Sequence, residues 1–403
     1  MNNPPQQDKN RLALNLRNLP KLLRDSRFWK IALQAIAMLL FVTVVIILAD
    51  NLIYNRQLLG RPLGFEFLDS QASFDIGERL INYERSNSFG RAMLVGLLNS
   101  LRIMVFGIIL ATIFGLLVGI ARLSDNWLLR NLALVYIEIV RNTPLLLQLL
   151  FWYSAVFLQL PLLENSIVLP GSIYLTKKAI ALPWLTNNEA TGIWLILLSI
   201  GIIIAALIWR WREYLRVKQG RPGRKILWTS GIIITVVILA LIVTQSAPFF
   251  WNLPRVTTDT RLEGGLQLSP EFCALLTGLV VYTVSFIAEI VRAGIQAVPK
   301  GQWEAAKALG LKSGMTLKLV ILPQALRVII PSLTSQYLNL AKNSSLAIAI
   351  GFPDFYSIAN TTLNQTNKEV EVILIIGATY LIISLLISIS MNLFNRQVQI
   401  KER

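Results

Sequence analysis

A small set of charged and polar side chains interrupts long apolar segments of this 403-residue chain. The set comprises Glu138, Arg141, Glu289, Lys342, Asn343, Ser344 and Ser345. Charged groups at membrane depth are energetically costly, so they are candidates for binding a solute, carrying protons or guarding a pathway. The chemistry suits a small zwitterion, because carboxylates accept hydrogen bonds from an ammonium group while basic and amide groups donate to a carboxylate. Such groups can also pair with one another and do nothing else.

One of these pairs lies beside a proline. Glu138 and Arg141 are three residues apart, which places both on one face of a helix and lets them pair. They belong to the run Y-I-E-I-V-R-N-T-P, which ends at Pro144. A proline inside a membrane span frees a backbone carbonyl and kinks the helix. Two interpretations stay open: a structural ion pair near the membrane edge, and a role in gating.

A polar loop between two apolar segments, Trp303 to Pro323, has the most specific spacing in the chain. Its defining positions are Glu304, Ala305, Ala306, Gly310, Leu322 and Pro323. A polar segment bounded by two spans must lie on one face of the membrane. It is therefore accessible to another protein on that side.

The residues of this loop predict two short helices. Trp303 to Leu309 is rich in good helix formers, and Glu304 lies near the positive end of the helix dipole. Gly310 permits a sharp turn because glycine tolerates positive φ. Ser313 is expected to cap a second short helix that stops before Pro323. A compact helix–turn–helix of this kind suits a groove on a partner protein.

Composition indicates that the elements positioning these groups are membrane helices. Hydrophobic residues make up 54% of the chain and charged residues 15%, with a net charge of +16. Apolar runs of roughly 20 residues predict an all-α polytopic membrane protein. The basic residues concentrate in loops on one side, so their excess indicates topology and not a nucleic-acid partner.

Several kinds of chemistry are excluded by what the sequence lacks. There is no histidine, which rules out a histidine-bound metal and a Ser-His-Asp triad. The single cysteine, Cys273, cannot form an internal disulfide. No G-x-x-x-x-G-K-[ST] run occurs, so the chain is not expected to cradle ATP phosphates itself. We therefore expect no cofactor and no metal on this chain.

About eight membrane spans are predicted. They cover about 30–49, 94–120, 128–158, 192–209, 226–247, 271–293, 326–351 and 372–394. An even number puts both termini on one side, and the distribution of Lys and Arg places that side in the cytoplasm. The second span carries Gly107, Ala111, Gly115 and Gly119, a ridge of small residues for close helix packing. We expect that ridge to pack inside the chain's own bundle and not against another subunit.

The predicted organisation follows from these spans. It comprises a cytoplasmic arm (1–29), a first span (30–49), an extracytoplasmic segment (50–92), a main domain (93–396) and a cytoplasmic tail (397–403). The main domain holds an inserted helix pair at about 170–262 and the polar loop at 299–323. Between the two inserted spans, residues 210–225 carry seven basic side chains and one acidic one.

Two motifs resemble a known family. The loop resembles the "EAA" coupling loop of ABC importer permeases: E-A-A, three residues, G, nine residues, an aliphatic, one residue and L-P, with Val320 where the family usually has Ile. The run ending at Pro144 resembles the Y-x-E-x-x-R-G-T-P motif of polar amino-acid permeases, with Asn142 in place of Gly. Residues 63–69 and 74–77 look like the external segment of general L-amino-acid permeases.

The resemblance implies a bacterial permease subunit of the polar or general L-amino-acid uptake family (histidine, glutamine, glutamate or arginine type), with a type I ABC importer core. It further implies two ATPase subunits that bind ATP, a second permease that is related but different, and an extracytoplasmic binding protein. The complex would lie in the inner membrane. The six loop positions would contact the ATPase, and the path or its gates would be lined by Glu138, Arg141, Glu289, Asn343, Ser344 and Ser345.

The alternative is a secondary amino-acid transporter driven by an ion gradient. In that case Glu138 and Glu289 would carry protons or pair with cations. The coupling-type loop argues against it, because a self-sufficient transporter does not need one. A membrane enzyme is a third class, and the sequence shows no catalytic constellation for it.

Overall fold

The computed structural model describes residues 26–58, 63–219, 225–257 and 261–398. Most of the predicted N-terminal arm and tail therefore lies outside the described residues. The helices are α1 Ser26–Leu58, α2 Phe89–Arg122, α3 Trp127–Arg141, α4 Leu145–Phe151, α5 Thr191–Gln219, α6 Lys225–Thr244, α7 Pro270–Gln296, α8 Lys300–Ala308, α9 Ser313–Thr316, α10 Leu322–Asn343, α11 Phe355–Thr366 and α12 Glu369–Val398.

The polytopic helical architecture is confirmed. Seven helical segments of the described chain are long and apolar enough to cross a membrane, and the count reaches eight if one bent pair is taken as a single span. Boundaries differ from the predicted ones: α1 continues to Leu58 and α2 begins at Phe89. Ser88 caps α2, since its side chain accepts a hydrogen bond from the Arg91 amide.

The third predicted span is not one kinked helix. Helix α3 ends at Arg141 and α4 starts at Leu145, and the two are bent by 103°. Pro144 provides the physical reason, because it lacks an N–H and biases the preceding residue away from helical geometry. After the bend, the helix continues through a π turn to Gln159.

The prediction of an all-α chain misses short strands in the loops. They are β1 Ile167–Leu169, β2 Ile173–Leu175, β3 Ile180–Leu182, β4 Trp184–Asn187, β5 Phe249–Asn252, β6 Arg255–Val256, β7 Leu262–Glu263 and β8 Leu266–Leu268. Strand β3 pairs with β8, and β4 pairs with β5, both antiparallel. Because each pair joins chain from before α5 to chain from after α6, the inserted helices form a hairpin on a β-stalk.

The centre of the bundle is the packing of α2 against α7 and α10. Gly107, Ala111, Gly115 and Gly119 are buried along one side of α2. A Cβ added to Gly119 would lie 2.8 Å from Val291 Cβ on α7, so only glycine allows this approach. The prediction that the ridge packs inside the chain's own bundle is confirmed.

Helix α9 continues into the next span, α10, without a break. Ser313 is the first residue of α9 and not its cap, because Lys312 occupies the N-cap position and no side-chain hydrogen bond caps the helix. A π turn, Leu317–Ile321, joins α9 to α10. Pro323 therefore lies in the first turn of α10 and does not end a helix.

Candidate functional site

The loop on one membrane face forms a closed turn around Gly310. Gly310 has φ +73°, its amide donates to Lys307 O at 2.9 Å, and the Leu311 amide donates to Ala306 O at 3.1 Å. These two bonds are the Schellman pattern that ends helices at a left-handed residue. An added Cβ at Gly310 would meet no atom within 4 Å, so the demand for glycine is conformational. The predicted turn at Gly310 is present.

Helix α8 has one face packed and one face exposed. Ala306 is 2% exposed, and Trp303 packs against the cluster that contains Val298 and Ile321. Glu304 and Ala305 lie on the exposed side. Helix α8 begins at Lys300, so Glu304 is not in its first turn. The prediction that Glu304 lies near the positive end of the helix dipole is therefore wrong.

The tip of this loop is apolar, which the motif did not indicate. Leu309 is 80% exposed and Met315 is 44% exposed. Both side chains are therefore available for contact with a partner on this face. By contrast, Leu322 and Pro323 open α10 and lie beyond the tip. We refer to α8, the turn at Gly310 and α9 (300–316) as the docking knob.

A large apolar crevice adjoins the knob. Its volume is about 1010 Å³ and its walls come from the ends of α2 and α7 together with α3 and α8. Trp303 and Lys300 form its wall on the knob side, and Leu117 and Leu129 lie opposite. A displacement of the knob would therefore act on the ends of α2 and α7.

Glu138 and Arg141 of α3 do not form the predicted ion pair. In the described residues, Arg141 makes no ion pair with Glu138; its guanidinium instead lies 4.9 Å from the Phe286 ring centre on α7. The side-chain amide of Asn142 donates to Glu138 instead. It contacts the Glu138 carbonyl oxygen at 2.8 Å and the Glu138 carboxylate at 3.4 Å. Asn142 has φ −89° and ψ 0°, a conformation that needs no glycine.

Glu289 has a partner on its own helix. Arg292 Nε donates to Glu289 Oε1 at 2.9 Å, and Arg292 Nη1 donates to Gln296 Oε1 at 2.5 Å. Both ion-pair side chains are little more than one quarter exposed. The end of α7 thus carries a fixed Glu–Arg pair, with the Arg141 cation held over the neighbouring Phe286.

The polar run Asn343–Ser345 lies where α10 changes to a 3₁₀ helix, Ser344–Ile350. Ser344 is fully buried and donates to Ala341 O at 2.8 Å, so in this chain it does not face a cavity. Ser345 donates to Lys342 O at 2.8 Å, and Asn343 stays partly exposed. Within the predicted run, Asn343 is the side chain free to reach a pathway.

A buried polar network behind this run was missed by sequence reasoning. Asn99 Nδ2 donates to Pro353 O at 2.9 Å, and Ser100 Oγ accepts from the Phe355 amide at 2.9 Å. Asp354 is fully buried and caps α11 by accepting from the Ser357 amide at 2.8 Å. The signal available in the sequence was Asp-x-x-Ser before a helical run, together with two adjacent polar residues inside an apolar span.

The segment between α1 and α2 is clamped to the bundle by Glu78. Its carboxylate accepts from Arg102 Nη1 at 2.6 Å and from the Ser269 hydroxyl. Both ion-pair side chains are about one tenth exposed. Arg102 also lies 4.1 Å from the Phe272 ring centre, which fixes its orientation. Sequence spacing carries no sign of this clamp, because its members come from three distant segments.

A polar pocket of about 660 Å³ opens beside the clamp. Its ionisable walls are Asp75, Glu78, Lys178 and Glu271. Nearby, burial and the charge of Asp75 raise the pKa of Tyr83. A pocket with carboxylates and one ammonium group can hold both ends of a zwitterion.

A polytopic helical bundle with an exposed docking knob on one face and polar groups inside defines the membrane component of a transport system. The family model described as "Binding-protein-dependent transport system inner membrane component" matches residues 226–400. The chain is 43% identical over 382 residues to the general L-amino acid transport system permease protein AapQ of Rhizobium johnstonii, covering 94% of each chain.

Two further relatives match almost end to end. The putative amino-acid ABC transporter permease protein YhdX of Escherichia coli is 43% identical over 371 residues, covering 92% of this chain and 94% of that one. The glutamate/glutamine/aspartate/asparagine transport system permease protein BztB of Rhodobacter capsulatus is 38% identical over 415 residues, covering 96% and 97%. The chain belongs to the family of amino-acid ABC transporter permeases, which confirms the resemblance read from its motifs.

Proposed function

We infer that this chain is the membrane-spanning permease subunit of an ABC importer that moves L-amino acids, polar or of broad range, into a bacterial cell. Support comes from relatives that match almost end to end and whose names specify general L-amino acids or glutamate, glutamine, aspartate and asparagine. The observation that carries the transport role is the docking knob, closed by the left-handed turn at Gly310 and exposed at Leu309.

The docking knob couples ATP hydrolysis to transport. Its outer face, with Glu304 and Leu309, contacts an ATPase subunit, while Ala306 and Trp303 transmit the contact to the bundle. An ATPase that binds two permease conformations with different affinity biases the equilibrium between them. Because the chain has no phosphate-cradling G-x-x-x-x-G-K-[ST] run, the ATP site belongs to the partner.

The working assembly contains two ATPase subunits, a second permease that is related but different, and an extracytoplasmic binding protein. It lies in the bacterial inner membrane, with both termini of this chain and the docking knob in the cytoplasm. The uneven distribution of basic residues supports this orientation. Glu138, Arg141, Glu289 and Asn343 face or gate the substrate path, and the chain needs no cofactor of its own.

Reconstitution tests the proposal directly. The chain is placed in liposomes with its ATPase, its partner permease and its binding protein, and uptake of a panel of labelled amino acids is measured. We expect uptake only with ATP and with every partner present. Uptake by this chain alone under a proton or sodium gradient would favour the ion-driven alternative instead.

A further inference from the structure

The inserted hairpin α5–α6 contributes no residue to the docking knob or to the proposed substrate path. We propose that its basic end is a binding surface for the phosphate headgroups of anionic phospholipids. The proposal is independent of which solute is transported and depends only on the chain being a membrane protein. It rests on how the hairpin is built, on the residues at its end and on their charge.

The hairpin is a self-contained unit. Its two helices pack on each other around Ala190, Trp194 and Ala240. A Cβ added to Gly201 of α5 would lie 2.9 Å from Val236 of α6, so the helices are in close contact. Trp194 Nε1 also donates to Thr244 Oγ1 and to Ser246 O, each at 3.0 Å. These contacts join the two helices from the β-stalk to the middle of the hairpin.

The outward faces of the hairpin are apolar. Exposed fractions are 61% for Ile202, 62% for Leu207 and 67% for Ile242. Both helices meet the length and composition of membrane spans. Surfaces of this kind are solvated by acyl chains, so lipid lies alongside the hairpin along its whole length.

Aromatic side chains surround the end of the hairpin away from the β-stalk. Trp211 is 57% exposed, Tyr214 55% and Trp228 51%. The Arg212 guanidinium lies 4.5 Å from the Trp228 ring centre, and Lys218 Nζ lies 4.8 Å from the Tyr214 ring centre. Trp and Tyr prefer the headgroup level of a bilayer. Cation–π contacts with aromatic rings thus hold two cations at that depth.

The charge at this end selects the lipid. Among the described side chains at this end, Arg210, Arg212 and Lys218 are basic. The sequence from 210 to 225 as a whole has seven basic residues against one acid, Glu213. A polybasic segment beside a span attracts anionic lipid, and an arginine fork matches phosphate oxygens. A nucleic acid or an acidic protein would satisfy the cations but not the adjoining apolar faces. An anionic phospholipid satisfies both, because its chains and its phosphate are joined in one molecule.

The test measures lipid retained by the assembled transporter that contains the full chain. Phosphatidylglycerol and phosphatidylcholine with identical acyl chains are supplied in equal amounts, and bound lipid is counted by native mass spectrometry. The neutralised variant is Arg210→Gln/Arg212→Gln/Lys218→Gln. A matched control, Lys177→Gln/Arg255→Gln/Arg261→Gln, removes the same number of charges from the stalk side of the hairpin.

Wild type and control are expected to prefer phosphatidylglycerol, and the neutralised variant to lose that preference by about tenfold or more. Trp228→Leu keeps every charge, and we expect about a threefold loss from removing one aromatic contact to Arg212. Equal retention by wild type and the neutralised variant would overturn the proposal. So would displacement of the lipid by millimolar inorganic phosphate, because that would identify a site for a free anion.

Discussion

Arg56 and Glu371 form an ion pair of 2.8 Å across 315 residues of sequence. The pair joins the end of α1 to the start of α12, and both side chains are less than one tenth exposed. The central part of helix α1 is apolar and exposed, with Leu39 at 71%. This contact therefore holds a peripheral helix in register with the bundle.

Replacing Arg56 by Gln should loosen α1. A buried carboxylate that loses its partner is costly, and we expect about 3 kcal/mol, the lower end for such pairs, because Lys368 remains 3.6 Å from Glu371. The measurement is the apparent Tm of the purified complex. Arg85→Gln is the control, since its ion pair with Asp75 is exposed and contributes less than about 1 kcal/mol. Equal Tm values for the two variants would mean that the buried pair does not hold α1.

Two glycines of the docking knob offer a matched test of coupling. Neither would bring an added Cβ within 4 Å of another atom, but Gly310 has φ +73° and Gly314 does not have a positive φ. Gly310→Ala should cost about 1–2 kcal/mol at the turn, which is comparable to a coupling free energy. We expect lost substrate-stimulated ATPase activity in Gly310→Ala and normal activity in Gly314→Ala.

Partial rescue makes the glycine test sharper. Asparagine tolerates the left-handed conformation better than alanine does, so Gly310→Asn should restore part of the stimulation. Glu304→Ala should act mildly, because its side chain is exposed within α8 and contacts no described residue through a hydrogen bond or ion pair. Wild-type stimulation in Gly310→Ala would show that this turn does not couple the ATPase to the bundle.

Asn343 and Ser344 should differ although they are adjacent. Asn343 is partly exposed, whereas the buried Ser344 hydroxyl donates to Ala341 O in its own helix. Asn343→Leu is expected to lower uptake or shift amino-acid preference in a complex that still assembles. Ser344→Ala should leave uptake nearly unchanged and cost about 1 kcal/mol of stability. The opposite order of effects would place the path on the Ser344 side.

Orientation is testable with single cysteines after Cys273→Ala. A membrane-impermeant thiol reagent added to intact cells should label Ser70→Cys, in the segment between α1 and α2. It should not label Gln219→Cys, the last residue of α5 at the basic end of the hairpin, until the cells are opened. The reason is that basic loops are retained on the cytoplasmic side. Labelling of Gln219→Cys from outside would reverse the proposed topology.

The sequence by itself determined the class of fold and the location of the docking knob. Spans follow from hydropathy because every backbone polar group in lipid must be satisfied within a helix. The turn at Gly310 follows from local backbone preference, and its φ of +73° agrees with that prediction. Both signals are carried by residues close together in the chain, so no long-range contact was needed to find them.

Only the tertiary structure decided which polar groups meet. Glu138 and Arg141 have ideal spacing for a pair, yet Asn142 and Phe286 provide competing partners. Pro144 predicts a kink but not a bend of 103°, slightly more than a right angle, because the size of the bend depends on how α4 packs against α7.

Long-range ion pairs were equally invisible in the sequence. Arg56 pairs with Glu371, 315 residues away, and Glu78 pairs with Arg102, 24 residues away. Such contacts depend on which helices become neighbours, and that is set by the packing of small and large side chains over the whole bundle. The same packing buries Ser344 and leaves Asn343 partly exposed. In the sequence the two are adjacent members of one polar run, and nothing local distinguishes them.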